Sequence, residues 1–412
     1  MDLIVRKAKL RGSETLQDIG VEGEKIVEIA PEIKASAPKE LDAEGRLTTS
    51  GFVNPHHHPD KSMVRDQMEP NKTYLFDEAI ELTWHFKRDF EVDDIVKRIE
   101  KVVQMAVSFG TTHLRTFADV DTIGGLKPVK AELKAKELFK DIIDIQVVAF
   151  PQEGIIRNEG TADLLREAMK LGADVVGGLP WYEHSDEDAK THIDICFDIA
   201  KEFNKDIHML VDNTNNPNSR TLEFLAVKKI KSKFPRTVTA SHAEALAFYD
   251  DIHADKVIQL VKQAGIHICS NAHVSLAFEG HQARQPIPRG LTRVRELLRA
   301  GVNVITGQDD CNDPYYPFGR MDQLEVALFM AHAAHFIFPP DLDILFNMIT
   351  VNGAQALVLQ NYGIKVGNLA DLVVIDAPDP KEALRLMADR RFVIYRGRLV
   401  AETKRESSVY RV

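Results

Sequence analysis

Cysteine is scarce: three among 412 residues, Cys196, Cys269 and Cys311, widely spaced and without a CxxC pair. That spacing excludes a disulfide framework and a cysteine-rich zinc site, and it points to a reducing compartment. Positive charge is also in deficit, with a net charge of -10. A nucleic-acid or anionic-membrane partner is therefore not expected. No stretch approaches the roughly 18 uninterrupted apolar residues of a membrane span. The opening MDLIVRKAKL alternates like a strand and lacks the basic-then-apolar order of a signal peptide. The expectation is a cytoplasmic globular chain, and 44% hydrophobic with 28% charged residues is the balance of one.

What the chain does have is histidine in an unusual place. GFVNPHHHPD, residues 51–60, runs an apolar lead-in and a proline into three histidines. On a strand ending there, alternate side chains share a face, so His56 and His58 point one way and His57 the other. Two imidazoles so placed can grip one metal ion. A polar loop carries the same letters, so matching ligands are needed elsewhere.

From residue 3 to about 49, short alternating runs punctuated by glycine predict β-hairpins. Beyond the histidines, amphipathic stretches such as VDDIVKRIEKVVQMAVSFG alternate with short apolar runs. Those runs are VNPHH, HLRTFADV (113–120), DIQVVAFPQ (144–152), DVVGGLPWY (174–182), DIHMLVDN (206–213), TVTASHA (237–243), HICSNAHV (267–274) and NVITGQDD (303–310). Eight strand–helix units predict an α/β fold, a TIM (β/α)8 barrel. After the eighth, two helical stretches are predicted, with His332 and His335 on packed faces. The tail from NYGIKVGNLADLVVID returns to β-runs. We therefore expect a β-domain built from both termini, residues 1–50 plus 365–412, around a catalytic barrel at 51–364.

Barrel enzymes act at the C-terminal ends of their strands. Those ends carry His56 and His58, Gln152, Asp212 with Asn213, His242, and Asp309 with Asp310. Two histidines and an aspartate on the first and last strands, neighbours in a closed barrel, make an N,N,O metal set. Catalytic zinc commonly uses three protein ligands and lowers the pKa of a bound water. His242 would orient that water, although a buried, hydrogen-bonded histidine is an equally ordinary reading of it alone.

These residues stand in motifs that resemble the amidohydrolase superfamily, in its cytosine deaminase-like branch with the s-triazine hydrolases. The motifs are GFVNPHHHPDK, RTFADVD, VVAFPQEGI, GADVVGGLP, VTASHA, PIPRGLTRVRELLRAGVNVITGQDD, DPYYPFG and NYGIKVGNLADLVVID. The resemblance implies a distorted TIM barrel beside a small β-sandwich from both termini. It implies one divalent transition metal, zinc or iron, on His56, His58 and Asp309, with His208 or His242 as a further candidate ligand. By the same likeness His242 contacts the metal-bound water, Gln152 holds the carbonyl edge of a heterocycle, Asp310 contacts a ring nitrogen, and Lys61 matches the lysine of triazine hydrolases. GGLPWY offers no lysine for carbamylation, so a two-metal site is not expected.

The fifth strand departs from the pattern. Leu210 stands at the usual histidine of an HxxE motif and Asn213 at its glutamate, while Asp212 takes the second histidine of the triazine-hydrolase HxH. Phe117 replaces a second-strand histidine, and Gln308 is a smaller departure. His208 shares Leu210's face, but two residues of strand rise, about 6.5 Å, put it a layer deeper. Lys61 and Asp212 are left as proton-carrying candidates, or as an ordinary ion pair. Trp181, Tyr315 and Tyr316 are candidate stacking walls.

The activity expected is hydrolytic removal of ammonia or an amine from a small nitrogen heterocycle, a cytosine-like pyrimidine or an s-triazine, by a homo-oligomer. Hydrolysis of a cyclic or acyclic amide C–N bond stays open, as does a catalytically degenerate heterocycle-binding paralogue.

Overall fold

The computed structural model describes residues 1–73, 75–280, 283–285 and 287–411. Pro286, which opens the PIPRG motif, lies outside them. Alternation of apolar and polar residues makes the first five strands, β1 Leu3–Leu10, β2 Gln17–Glu22, β3 Lys25–Ala30, β4 Lys39–Asp42 and β5 Leu47–Ser50. The C-terminal strands are β14 Leu372–Ile375, β15 Arg390–Tyr395 and β16 Arg398–Glu402. They join the first five in one sheet, ordered β16-β15-β14-β5-β1-β2-β3 with β4 on β1. The chain thus leaves a terminal β-domain and comes back to it.

Between them lie β6 Phe52–His57, β7 Thr111–Asp119, β8 Asp144–Phe150, β9 Val175–Gly178, β10 Asp206–Val211, β11 Val238–His242, β12 His267–Cys269 and β13 Val304–Ile305. These eight pair in sequence order, each with its neighbour in parallel. The ring closes where Asp309 N donates to His56 O at 2.8 Å and His58 N donates to Asp309 O at 3.2 Å. The fold is the expected α/β barrel with a small second β-domain.

Helices cover the barrel because their apolar residues recur every three to four positions. In Val92–Ser108, Ile95, Ile99, Val102, Val103 and Ala106 face the strands. In Asp186–Phe203, Ser185 caps the start by accepting from Asp188 N, and Asn204, at φ 54°, ends it. Two glycines permit close approach. A Cβ on Gly51, between the two sheets, would collide with the Thr112 side chain, and one on Gly307 would meet the His56 backbone at 2.9 Å.

Several strands stop earlier than their apolar runs. The fourth ends at Gly178 because Pro180 opens a 3-10 turn, which takes Trp181 off the strand. The seventh ends at Cys269, and Ala272–Phe278 is helical. His332 and His335 are exposed, not packed: His332 lies on the outer face of the helix Gln323–Ala333, and His335 follows that helix at φ 58°. Among the described residues no helix is long and apolar enough to cross a membrane.

Candidate active site

The seam that closes the barrel also gathers the polar side chains. His56 Nε2 lies 3.1 Å from His58 Nε2 and 3.1 Å from Asp309 Oδ1. His58 Nε2 is 3.6 Å from the same oxygen, and His242 Nε2 is 3.8 Å from Asp309 Oδ2. His57 points the other way, its Nδ1 2.6 Å from Asp309 O, where it braces the seam. Asp309 and His242 leave their strands in the left-handed region, at φ 59° and 69°. Such backbone is costly for a non-glycine residue and persists only where the surroundings impose it. Three hydrogen-bond contacts to the Asp309 backbone do so here.

This group fits a metal ion. His58 Nδ1, both ring nitrogens of His242 and Asp309 Oδ2 are buried without a hydrogen-bond partner. Buried polar atoms normally have one, so the set is incomplete by itself. His56, His242 and Asp309 offer ligand atoms within 4.8 Å of one another. Burial lowers the pKa of His56, His58 and His242, leaving the imidazoles neutral as ligation requires. Burial raises Asp309, but the imidazoles of His56 and His242 outweigh it and hold the carboxylate well below its usual range.

A supporting layer lies beneath. Ser241 Oγ sits 2.7 Å from His56 Nδ1 and 2.7 Å from His208 Nε2, so it directs the other nitrogen of His56 toward the site. His208 is therefore a layer below the ligand group, with Arg115 at 3.4 Å from its Nδ1. Phe117 stacks on His56 with ring centroids 4.1 Å apart and fixes that ring by packing.

Above this group opens a cavity lined by Lys61, Gln152, Leu210, Asn213, Asp310 and Tyr315, among others. Lys61 Nζ donates to Asp119 Oδ1 at 2.6 Å and lies 3.7 Å from Asp60 Oδ1. Burial would lower its pKa, but Asp119 and Asp60 outweigh burial and hold it as ammonium. Behind it, fully buried Lys87 reaches Asp119 at 2.8 Å, Asp121 at 2.7 Å and Glu153 at 2.9 Å. Asp310 is pushed well above the carboxylate range, first by burial and then by Asp313 and Asp309.

Three expectations are corrected. Asp212 does not pair with Lys61. Its Oδ1 accepts from Ser219 Oγ at 2.5 Å and from Thr221 N and Oγ1 at 3.0 Å, and its Oδ2 accepts from Leu222 N at 2.7 Å, capping the helix Thr221–Ser232. Trp181 lines a neighbouring depression and packs on Phe76, with centroids 5.5 Å apart. Tyr316 packs on His273 and Phe318 instead of the cavity.

The same wall holds residues that sequence reasoning missed. Glu244, Ser275 and Glu279 line the cavity beside His242, and Phe76 and Phe278 flank Tyr315. Burial pushes Glu244 up to about 8. The available signal was position: Glu244 follows the sixth-strand histidine by two residues, and Ser275 and Glu279 follow the seventh strand.

Histidines and an acid gathered at the C-terminal mouth of an eight-strand barrel are the donors of a barrel enzyme's active site, and the chain's homologues are hydrolases that break carbon–nitrogen bonds other than peptide bonds. Comparison with known proteins makes the assignment specific: the chain belongs to the amidohydrolase family, whose profile, described as "Amidohydrolase family", matches residues 91–401. It is 33% identical over 406 residues to N-isopropylammelide isopropyl amidohydrolase of Pseudomonas sp. (strain ADP), covering 97% of each chain. Among solved structures it resembles 5-methylcytosine deaminase from Klebsiella pneumoniae liganded with 5-fluorocytosine, with 33% identity, a TM-score of 0.94 and 99% of each chain covered. It also resembles N-isopropylammelide isopropylaminohydrolase from Burkholderia multivorans ATCC 17616, with 27% identity, a TM-score of 0.84, and 98% of this chain and 99% of that one covered.

Proposed function

We propose that the chain is a hydrolytic deaminase or aminohydrolase of a small nitrogen heterocycle, a cytosine-like pyrimidine or an s-triazine, releasing ammonia or an amine. The observation that carries this is the convergence of His56, His58 and Asp309 at 3.1–3.6 Å beneath a pocket lined by Gln152, Asp310 and Tyr315. The names of the relatives, an amidohydrolase and an aminohydrolase of N-isopropylammelide and a 5-methylcytosine deaminase, support it.

One divalent transition metal, zinc or iron, would be held by His56, His58 and Asp309, with His242 close enough to join them. When bound, such an ion supplies Lewis acidity that brings the pKa of a water toward neutrality. The chain's own residues do the rest. Gln152 meets the carbonyl edge of the ring and Asp310 a ring nitrogen, while Phe76 and Tyr315, 5.3 Å apart, form an aromatic wall. Neutral His242 takes the proton of the attacking water as the C–O bond forms and returns it to the leaving nitrogen as the C–N bond breaks. Lys61 is too strongly paired to give up a proton readily, so it serves as a fixed positive charge beside the leaving nitrogen. Asn213 hydrogen-bonds the ring but cannot carry a proton. The same proposal includes a cytoplasmic homo-oligomer and a division into 1–50 with 365–412 and 51–364, checked by light scattering and limited proteolysis.

One observation favours a second reading. Leu210 faces the cavity where a ligand is usual, which suits a paralogue that binds heterocycles without turning them over. Elemental analysis of protein grown with zinc, iron or manganese, followed by assay of ammonia and amine release from a heterocycle panel, separates the two. About one metal per chain with turnover, both lost in His56→Ala and Asp309→Ala, is expected. No metal under any condition, or full turnover in either variant, would overturn the hydrolase.

A further inference from the structure

The loop after β8 carries Gln152, and the loop after β9 lies against it. Glu183, on that second loop, has a side chain that is 0% exposed. Its Oε1 accepts from Ile155 N at 2.6 Å and from Ile156 N at 3.0 Å, and its Oε2 accepts from Arg157 N at 2.9 Å. Gly154, at φ 81°, turns the chain so that these three successive N–H groups converge on one anion. A Cβ on Gly154 would meet the two carboxylate oxygens at 3.0 and 3.1 Å.

A fourth donor fixes the carboxylate from the helix Asp186–Phe203. His192 Nδ1 lies 2.7 Å from Glu183 Oε1, and His192 Nε2 accepts from Leu179 N at 3.0 Å. An imidazole that accepts at Nε2 carries its proton on Nδ1, so His192 is a neutral donor to Glu183. Burial would raise the pKa of Glu183, but His192 and the backbone donors outweigh it and keep the group ionised. A buried carboxylate is costly unless it is hydrogen-bonded, and this one accepts four such bonds.

Gln152 depends on that support. It is 4% exposed and lines the cavity, and among the described residues its side-chain amide has no hydrogen-bond partner. Its place is therefore set by its loop, which is tied by Glu153 to Lys87 at 2.9 Å and, from residue 155 on, by Glu183. Glu183 does not itself line the cavity, so it acts through the loop. We infer that Glu183, oriented by His192, is a positioning residue that sets where the Gln152 amide meets a ring carbonyl, and with it the preference for a ring that bears an oxo group. This rests on the heterocycle reading proposed above, in which Gln152 meets the carbonyl edge.

The test uses the zinc-loaded full chain and two pairs of rings, cytosine with 4-aminopyrimidine and the amino-dioxo-s-triazine with amino-s-triazine. The second ring of each pair lacks the oxo groups. Dissociation constants by calorimetry, which need no turnover, are read alongside kcat and KM for release of ammonia. Glu183→Gln keeps the shape but puts a donor where an acceptor stood. It is expected to weaken the oxo-bearing ring about tenfold, the worth of one hydrogen bond, and the oxo-free ring by less than about twofold. Gly154→Ala presses on the same contact from the loop side and is expected to do likewise, so it carries the test should the first variant not fold. Added to Gln152→Ala, either change should cost less than about twofold more, because its effect runs through the amide already removed. Equal losses on both rings of a pair, or full additivity with Gln152→Ala, would overturn the inference and leave Glu183 a brace of the fold. An oxo preference lost in Gln152→Ala but kept in Glu183→Gln and Gly154→Ala would sink the positioning role alone. Failure of the wild type to bind or hydrolyse any of the four rings would sink the heterocycle reading itself, and the inference with it.

Discussion

Replacing Lys87 by methionine isolates the buried charge cluster behind the cavity. The lysine is wholly buried and makes three ion pairs of 2.7–2.9 Å, to Asp119, Asp121 and Glu153. Methionine fills a similar volume, so the loss is one of charge and hydrogen bonds more than of packing. Removing one partner of a buried pair typically costs about 3–5 kcal/mol, because the charge left behind is uncompensated. Lys61 still pairs with Asp119, which argues for about 4 kcal/mol, not a multiple of it. With an unfolding entropy of about 2.1 cal/mol/K per residue, 412 residues give roughly 0.9 kcal/mol/K, hence a fall in Tm of about 5 °C.

The deficit should also depend on pH. Burial already raises Glu153 with the lysine present, and without it the stranded carboxyls rise further in the folded state. Groups raised on folding favour the fold below their unfolded values, near about 4, and lose that contribution as pH rises through the folded values. The variant should therefore approach wild type in acid and fall away toward neutrality. Urea titrations of both proteins at several pH values measure this. A deficit below about 1 kcal/mol, the size of an exposed pair, or one that does not change with pH, would refute the argument.

Asp212→Ala should cost about 1–2 kcal/mol as a lost helix cap, with turnover per folded molecule kept; loss of kcat at normal stability would restore Asp212 to the chemistry. Ser241→Ala removes the hydroxyl shared by His56 and His208 and should weaken metal binding about 10–100-fold, read by competition with a chelator; an unchanged affinity would count against the supporting layer. Leu210→His places an imidazole on the cavity wall and should tighten metal binding in the same assay, and no gain would mean that Leu210 lies out of reach of the ion.

The barrel was legible because its signal is local and repeated: eight apolar runs with amphipathic stretches between them. His56, His58, His242 and Asp309 were legible because strand ends are where barrels place function, and the structure brings them together. Lys87 was not. It ends a stretch, ELTWHFK, that reads as a half-exposed helix, and its partners stand 32 to 66 residues further on, on two other strand ends. Asp212 misled for a related reason. An acid at a strand end suggests chemistry, and the helix it caps begins nine residues later, after a loop whose path cannot be read from its letters. Glu244 sits in EALAF, where nothing in the residue types marks one glutamate as buried.

The last barrel strand is only two residues long, and the ring is joined beyond it by the backbone of Asp309 against His56 and His58. The closing join of the barrel and the proposed metal-binding group are therefore one piece of chain. An ion gripping both sides would act as a clasp, so the folded ring should outlast heat and protease better loaded than stripped, by an amount that grows with free ion concentration. Anything that draws the ion off would loosen the wall of the cavity along with its floor.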